Sequence, residues 1–105
     1  MPSNASSTAY ETNRVAKATA GTIWKISVYN SKGSAQFIQI HNATALPADA
    51  SAPVAVYTVA ATSNFTIDFG TRGRTNSVGI VVCNSSTGAT KTIGSADCWF
   101  DIQYS

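Results

Sequence analysis

Phe65-Thr66-Ile67-Asp68-Phe69 alternates apolar and polar residues strictly. The stretch from Cys98 to Tyr104 does the same, with Cys98, Phe100, Ile102 and Tyr104 on one side and Trp99, Asp101 and Gln103 on the other. A two-residue period puts successive side chains on opposite faces of an extended chain, so one face is buried and the other is wet. Trp24, Ile26 and Val28 alternate in this way with Lys25 and Ser27, which predicts an inward Trp24. Ile38 and Ile40 alternate with Phe37, Gln39 and His41. Residues 54–59 (VAVYTV) form a further strand, and 77–83 (SVGIVVC) is the continuous apolar run expected of a central strand covered on both faces. Residues 43–53 hold five alanines, but Pro47 and Pro53 bracket too short a span for a stable helix, so this stretch is predicted to be a surface loop.

These segments predict an all-β chain: an antiparallel β-sandwich, jelly-roll or immunoglobulin-like, of about seven short strands. Two hairpins are expected between sequence neighbours. One spans residues 22–42 through Asn30-Ser31-Lys32-Gly33, with Gly33 supplying a positive φ. The other joins 54–59 to 64–69. At 105 residues the chain has room for a single domain. Residues 21–105 are assigned to the sandwich. Residues 1–20 offer only Tyr10 and Val15 as sizeable apolar groups after Met1, too few to order the stretch by burial, so they are expected to form an extended N-terminal arm.

Reactive groups are scarce. The chain has one histidine (His41), one glutamate (Glu11) and four aspartates (Asp49, Asp68, Asp97, Asp101). No Gly-x-Ser-x-Gly elbow frames a serine, so a Ser-His-Asp triad has no anchor in the sequence. Cys83 with His41 is a conceivable nucleophile–base pair, but both fall within apolar strand patterns where a core position is expected. Cys83, Cys98 and His41 match no metal-ligand spacing. The chain is therefore not expected to be an enzyme, and no cofactor is implied. The opening MPSNASSTAYETNR lacks the apolar segment of a secretory signal, so Cys83 and Cys98 are expected to remain buried thiols in a reducing cytosol. Four Asn-x-Ser/Thr triplets, at Asn4, Asn42, Asn64 and Asn84, are no surprise in a chain with 26 serines and threonines. No apolar run is long enough to span a membrane.

The surface is unusual for its neutrality. Charged residues make up 11% of the chain, against about 25% in typical domains. Strand faces carrying Ser, Thr, Ala and Gln cost little to desolvate and suit permanent packing against other subunits. The net charge of +2 does not imply nucleic acid. One loop, Gly70-Thr71-Arg72-Gly73-Arg74, concentrates two guanidinium forks, and a contact with an acidic patch on a protein partner is the favoured reading. A rival class, a receptor- or carbohydrate-binding module, would need exposed aromatics arranged as a platform, with Trp24, Trp99 and Tyr57 as candidates.

Several pieces of the chain together resemble small virion structural proteins of tailed bacteriophages. They are Phe69-Gly70 with the Arg-Gly-Arg turn, Gly79-Ile80-Val81-Val82, Asn84-Ser85-Ser86-Thr87, Thr90-Lys91-Thr92, Asp97-Cys98-Trp99-Phe100-Asp101 and Asn42-Ala43-Thr44-Ala45-Leu46-Pro47-Ala48-Asp49. The resemblance covers roughly residues 22–104. It implies a head decoration (cement) protein, or less often a tail or fibre component, made in the host bacterial cytoplasm and carried on the virion. The implied partners are the major capsid protein and further copies of this chain, with a trimer seated on the capsid surface where subunits meet. Tyr10, Arg14, Lys17, Arg72 and Arg74 are the expected interface residues.

Overall fold

The computed structural model describes residues 3–105, and every regular element among them is a strand. In chain order these are β1 (Ser3–Ser6), β2 (Asn13–Lys17), β3 (Gly21–Asn30), β4 (Gln36–His41), β5 (Ala55–Val59), β6 (Ser63–Asp68), β7 (Arg74–Asn76), β8 (Ile80–Ser85) and β9 (Cys98–Tyr104). They make two sheets, with orders β1-β9-β3-β6 and β2-β8-β4-β5, and all their pairings are antiparallel. Strand β7 continues the edge that β6 begins. Asp68 to Ser63 pair with Lys25 to Asn30, and Asn76 to Arg74 pair with Gly21 to Ile23, while β9 holds the other side of β3.

Of the strands joined directly in sequence, β4 and β5 alone pair side by side in one sheet. Most other connections cross from one sheet to the other. That is a jelly roll. An immunoglobulin-type sandwich would instead pair several consecutive strands within each sheet.

Neither expected hairpin forms as predicted. Strands occupy the expected places, but β3 and β4 lie in opposite sheets, as do β5 and β6. Alternation marks which face of a strand is buried, and both walls of a sandwich need such faces. The two arches are tied together by Asn30, which is fully buried at the end of β3. Its Nδ2 donates to the carbonyls of Ser34 at 3.0 Å and Ala60 at 3.1 Å, and its Oδ1 accepts from the Lys32 amide at 3.0 Å. The Thr62 amide then donates to the Lys32 carbonyl at 2.9 Å. Gly33 is not among the residues of positive φ, because an arch needs no tight primed turn. Replacing Asn30 with Ala removes the three hydrogen bonds that tie the arches to this buried position, and a loss of about 2–3 kcal/mol is expected in urea unfolding. A loss within about 0.5 kcal/mol would show that the arches hold without it.

The N-terminal assignment also changes. Residues 3–17 are extended, but they are built into the sandwich instead of standing apart as an arm. Ser3 to Ser6 pair with Tyr104 to Asp101 of β9, and Asn13 to Lys17 pair with β8. Ala5 packs on the core and Ala16 belongs to it. The order comes from backbone hydrogen bonds to two waiting strand edges, a term that side-chain composition does not register. Met1 and Pro2 of the expected arm lie outside the described residues.

Ile23, Ile26, Val28, Ile38, Ile40, Val59, Ile80, Val82, Phe100 and Ile102 fill the space between the sheets. All six residues of β8 are buried, as expected of a central strand, but the strand begins at Ile80, and Ser77 and Val78 of the predicted run stay exposed. Trp24 departs from expectation. The β3–β9 register passes from Ile23 opposite Tyr104 to Lys25 opposite Gln103, so Trp24 is the extra residue of a bulge. Ile23 points inward in its place, and the half-buried Trp24 donates from Nε1 to Ser105 Oγ at 3.1 Å.

Candidate functional site: two interaction surfaces

The strongest chemical pairing in the sequence, Cys83 with His41, is sealed. Both residues are buried on the outer face of the β2-β8-β4-β5 sheet, beneath the connections 42–54 and 86–96. Gln39 pins the second connection, its Nε2 donating to the carbonyls of Thr87, Gly88 and Thr90 at 2.9–3.1 Å. The two connections are latched to each other by the Lys91–Asp49 ion pair. Backbone bonds add to the latch, from Ala50 to Lys91 at 2.7 Å and from Lys91 to Ser51 at 2.8 Å. Gln39 Oε1 lies between the expected partners, 3.0 Å from His41 Nε2 and 3.9 Å from Cys83 Sγ. Burial pushes the Cys83 thiol up to about 11, so it is protonated near neutrality and is no nucleophile. Burial, and secondarily the Lys91 charge, holds His41 below its ordinary value.

Both cysteines are free. Cys98 faces the core from the β1-β9-β3-β6 sheet, and Cys83 lies on the far side of the other sheet. Burial raises the Cys98 thiol to about 12. Among the described residues no three of His, Cys, Asp and Glu come together as a metal-binding group, and no helix is long and apolar enough to cross a membrane.

The signs of these shifts set a pH window. A histidine held below its ordinary value of 6.5 contributes stability above pH 6.5 that is lost as pH falls through its folded value. Asp49, held low by its hydrogen bond from Lys91, acts in the same direction at more acid pH. The two thiols, raised from 9.0, contribute stability that is lost as pH rises from 9 toward 11 and 12. Denaturant midpoints are therefore expected to be highest between these limits, and His41→Gln should flatten the slope just below pH 6.5. An unchanged slope in that variant would remove His41 from the account.

The first surface is a row of aromatic rings on the outer face of the β1-β9-β3-β6 sheet. Register places Tyr29 of β3 directly opposite Trp99 of β9, and alternation turns both outward. A third ring arrives from the connection between β1 and β2. The Ser7 amide donates to the Phe100 carbonyl at 2.8 Å and the Glu11 amide to the Cys98 carbonyl at 2.9 Å, so residues 8–10 are looped out past Trp99. Tyr10 lands on it, at 6.0 Å and edge-on to Trp99 and at 6.4 Å and tilted 34° to Tyr29. The Glu11 carboxylate braces the loop by accepting from Ser7 Oγ at 2.6 Å and from Arg14 at 2.9 and 3.1 Å. Despite these contacts Tyr10 is 50% exposed, and Tyr29 and Trp99 are each 39% exposed.

The second surface surrounds the arginine loop. Gly70 and Gly73 take φ of 75° and 66°, and a Cβ on Gly73 would stand 2.9 Å from the Ile23 carbonyl oxygen, so the turn requires glycine there. Arg72 projects into solvent. Arg74 does not. Its Nη2 donates to the Val54 carbonyl at 2.8 Å and its Nε is buried, which ties the long 42–54 connection to β7. Val54 and Val56, 46% and 42% exposed, stand beside this anchor on and just before the edge strand β5.

The five expected interface residues thus divide between two ends of the sandwich. Tyr10 and Arg14 gather near Tyr29, with Arg14 engaged by Glu11. Arg72 and Arg74 gather near Ile23, about 20 Å away along β3. Lys17 is at that same end, its stem against Gly21. Of the expected platform aromatics only Trp99 serves. Trp24 is in the bulge, and Tyr57 packs inward on Phe65 at 6.1 Å. Tyr29 was missed, although its outward position follows from the alternation of Ile26 and Val28. Its importance depends on facing Trp99, which requires the register.

No family model and no curated protein matches the chain. Among solved structures it is similar to the coat protein of Tobacco streak virus, with 11% sequence identity and a TM-score of 0.39, over 97% of this chain and 84% of that one. So loose a superposition carries no argument about function, and the fold rests on the strand order itself.

Proposed function

We propose that this chain is a virion structural protein that decorates the outside of a phage head, binding the major capsid protein at subunit junctions as a homo-oligomer, most simply a trimer. The observation that carries the reading is the second surface. Exposed Val56 lies on the edge strand β5 and exposed Val54 just before it, and the bond from Arg74 to the Val54 carbonyl brings the loop that carries the projecting Arg72 to this edge. An apolar strip flanked by a fork-shaped cation is suited to a protein partner carrying carboxylates. The low charge of the remaining surface keeps desolvation cheap. Several copies bound at once would turn modest contacts into lasting attachment. The capsid assignment itself rests on the sequence resemblance to tailed-phage virion proteins.

Arg72, with Lys17 at the same end, is the cation available to a partner. Arg74 and Arg14 work within the chain, so substituting Arg74 would loosen the 42–54 connection as well as any contact. The test is therefore co-sedimentation of the purified protein with empty phage shells, with its own mass measured by light scattering. Arg72→Glu combined with Val56→Asp is expected to abolish sedimentation with shells while leaving the circular dichroism spectrum unchanged. Undiminished shell binding by the double variant would remove this surface from the interface. A native protein that ignores shells but sediments with tails would move the role to a tail or fibre component.

A further inference from the structure

The outer face of the β1-β9-β3-β6 sheet has chemistry that the capsid-binding reading leaves unused. From Tyr10, Trp99 and Tyr29 the first row runs on to Asn64, which pairs with Tyr29 from β6. The next row is Ser6, Asp101, Ser27 and Thr66. In that row Ser6 Oγ donates to Asp101 Oδ1 at 2.7 Å, and the hydroxyls of Ser27 and Thr66 share a hydrogen bond at 3.0 Å. Asp101 Oδ2 and the Asn64 amide have no side-chain partner among the described residues. Apolar ring faces therefore border directly on a polar row in which Asp101 Oδ2 and the Asn64 amide are left to solvent or a ligand.

We propose that this row is a binding site for a neutral saccharide, with a pyranose ring stacked on Trp99 and Tyr29 and its hydroxyls bonded to Asp101 and Asn64. Three features select this ligand chemistry over a protein. A sugar ring has a C–H face and a hydroxyl rim, the same combination of apolar area and adjacent polar groups that the two rows present. A protein hot spot would instead be ringed by contacts that exclude water, whereas here the border is polar and open. Charge points the same way. Glu11 and Arg14 neutralise each other beneath Tyr10, so apart from Asp101 the rows carry no charge to select an ion. The site is also pre-formed. Trp99 and Tyr29 stand on paired central strands and Tyr10 is held by the Glu11 brace, so little ordering entropy is lost on binding.

The site lies about 20 Å along β3 from the arginine loop. A copy attached through that loop could leave the aromatic row open, so the two functions can be tested separately.

The experiment is affinity electrophoresis of the full chain in native gels containing soluble neutral polysaccharides: hydroxyethyl cellulose, glucomannan or galactan. It is paired with tryptophan fluorescence during titration with the oligosaccharide of any polymer that retards the protein. Retardation in at least one gel is expected, and Trp99→Ala should weaken affinity about tenfold or more, the usual effect of removing a central stacking ring. Tyr29→Ser and Asp101→Ala should weaken it in the same direction. All three variants should keep the native circular dichroism spectrum and still sediment with shells, which separates failure here from failure of the capsid reading. Lack of retardation in every gel, or retardation that survives Trp99→Ala, would overturn the proposal. So would a solution mass that falls in Trp99→Ala, because the row would then be a contact between copies of the chain.

Discussion

Deleting residues 1–17 is expected to abolish folding. A detachable arm could be removed without thermodynamic consequence. These residues instead supply β1, which closes one side of β9, and β2, which closes one side of β8. Their loss would bare two central strands, one of them buried along its whole length, and leave their amides and carbonyls without partners. It would also remove Ala16 from the core and the Ser7 hydroxyl that accepts from the Phe100 amide at 2.8 Å. New edges of this kind template association between chains. The truncated protein should therefore lose its cooperative thermal transition and appear in the insoluble fraction. A soluble truncated chain with an unchanged melting temperature would restore the arm.

Phe100→Ala is expected to have the largest effect of any single substitution. Phe100 is the largest fully buried side chain, held between Val28 of β3 and the β1 side of the sheet, with its face in the common core. Truncating a buried phenyl ring costs about 3–5 kcal/mol, because transfer energy is lost and a cavity remains. A domain of this size has a total stability of roughly 5–15 kcal/mol. The variant should therefore melt at least about 12 °C below the native protein. Its backbone partners, the Ser7 hydroxyl and carbonyl ladder, are unchanged, so the loss would isolate packing from hydrogen bonding. A shift of only a few degrees would mean that the two sheets can close over the space.

The candidate surfaces were legible in the sequence to different extents. Trp99 was readable as outward from the alternation of β9, and the arginine loop from its glycines. The engagement of Arg74 with the Val54 carbonyl was not readable, because it joins residues twenty positions apart with β5 and β6 between them. Nor was the meeting of Tyr10 with Trp99, which depends on residues 8–10 being displaced from a strand that the sequence had not shown to exist.

By itself the sequence determined the course of β3, β4, β5, β6, β8 and β9 and, Trp24 apart, which of their faces turn inward. Phe65 and Ile67, Ile38 and Ile40, and Phe100 and Ile102 each declare a buried side through a local two-residue period. Tertiary structure alone decided which strands are partners. The apolar faces of β3 and β4 are interchangeable as far as hydrophobic burial is concerned, and a hairpin or an arch satisfies both. The arch is selected by directional bonds that converge from distant positions: the Asn30 amide gathering two connections, and the open edges of β8 and β9 accepting the N-terminal strands. Hydrophobic burial is non-directional and can be read locally. Hydrogen-bond pairing is directional and non-local, and it appears only once the chain has closed on itself.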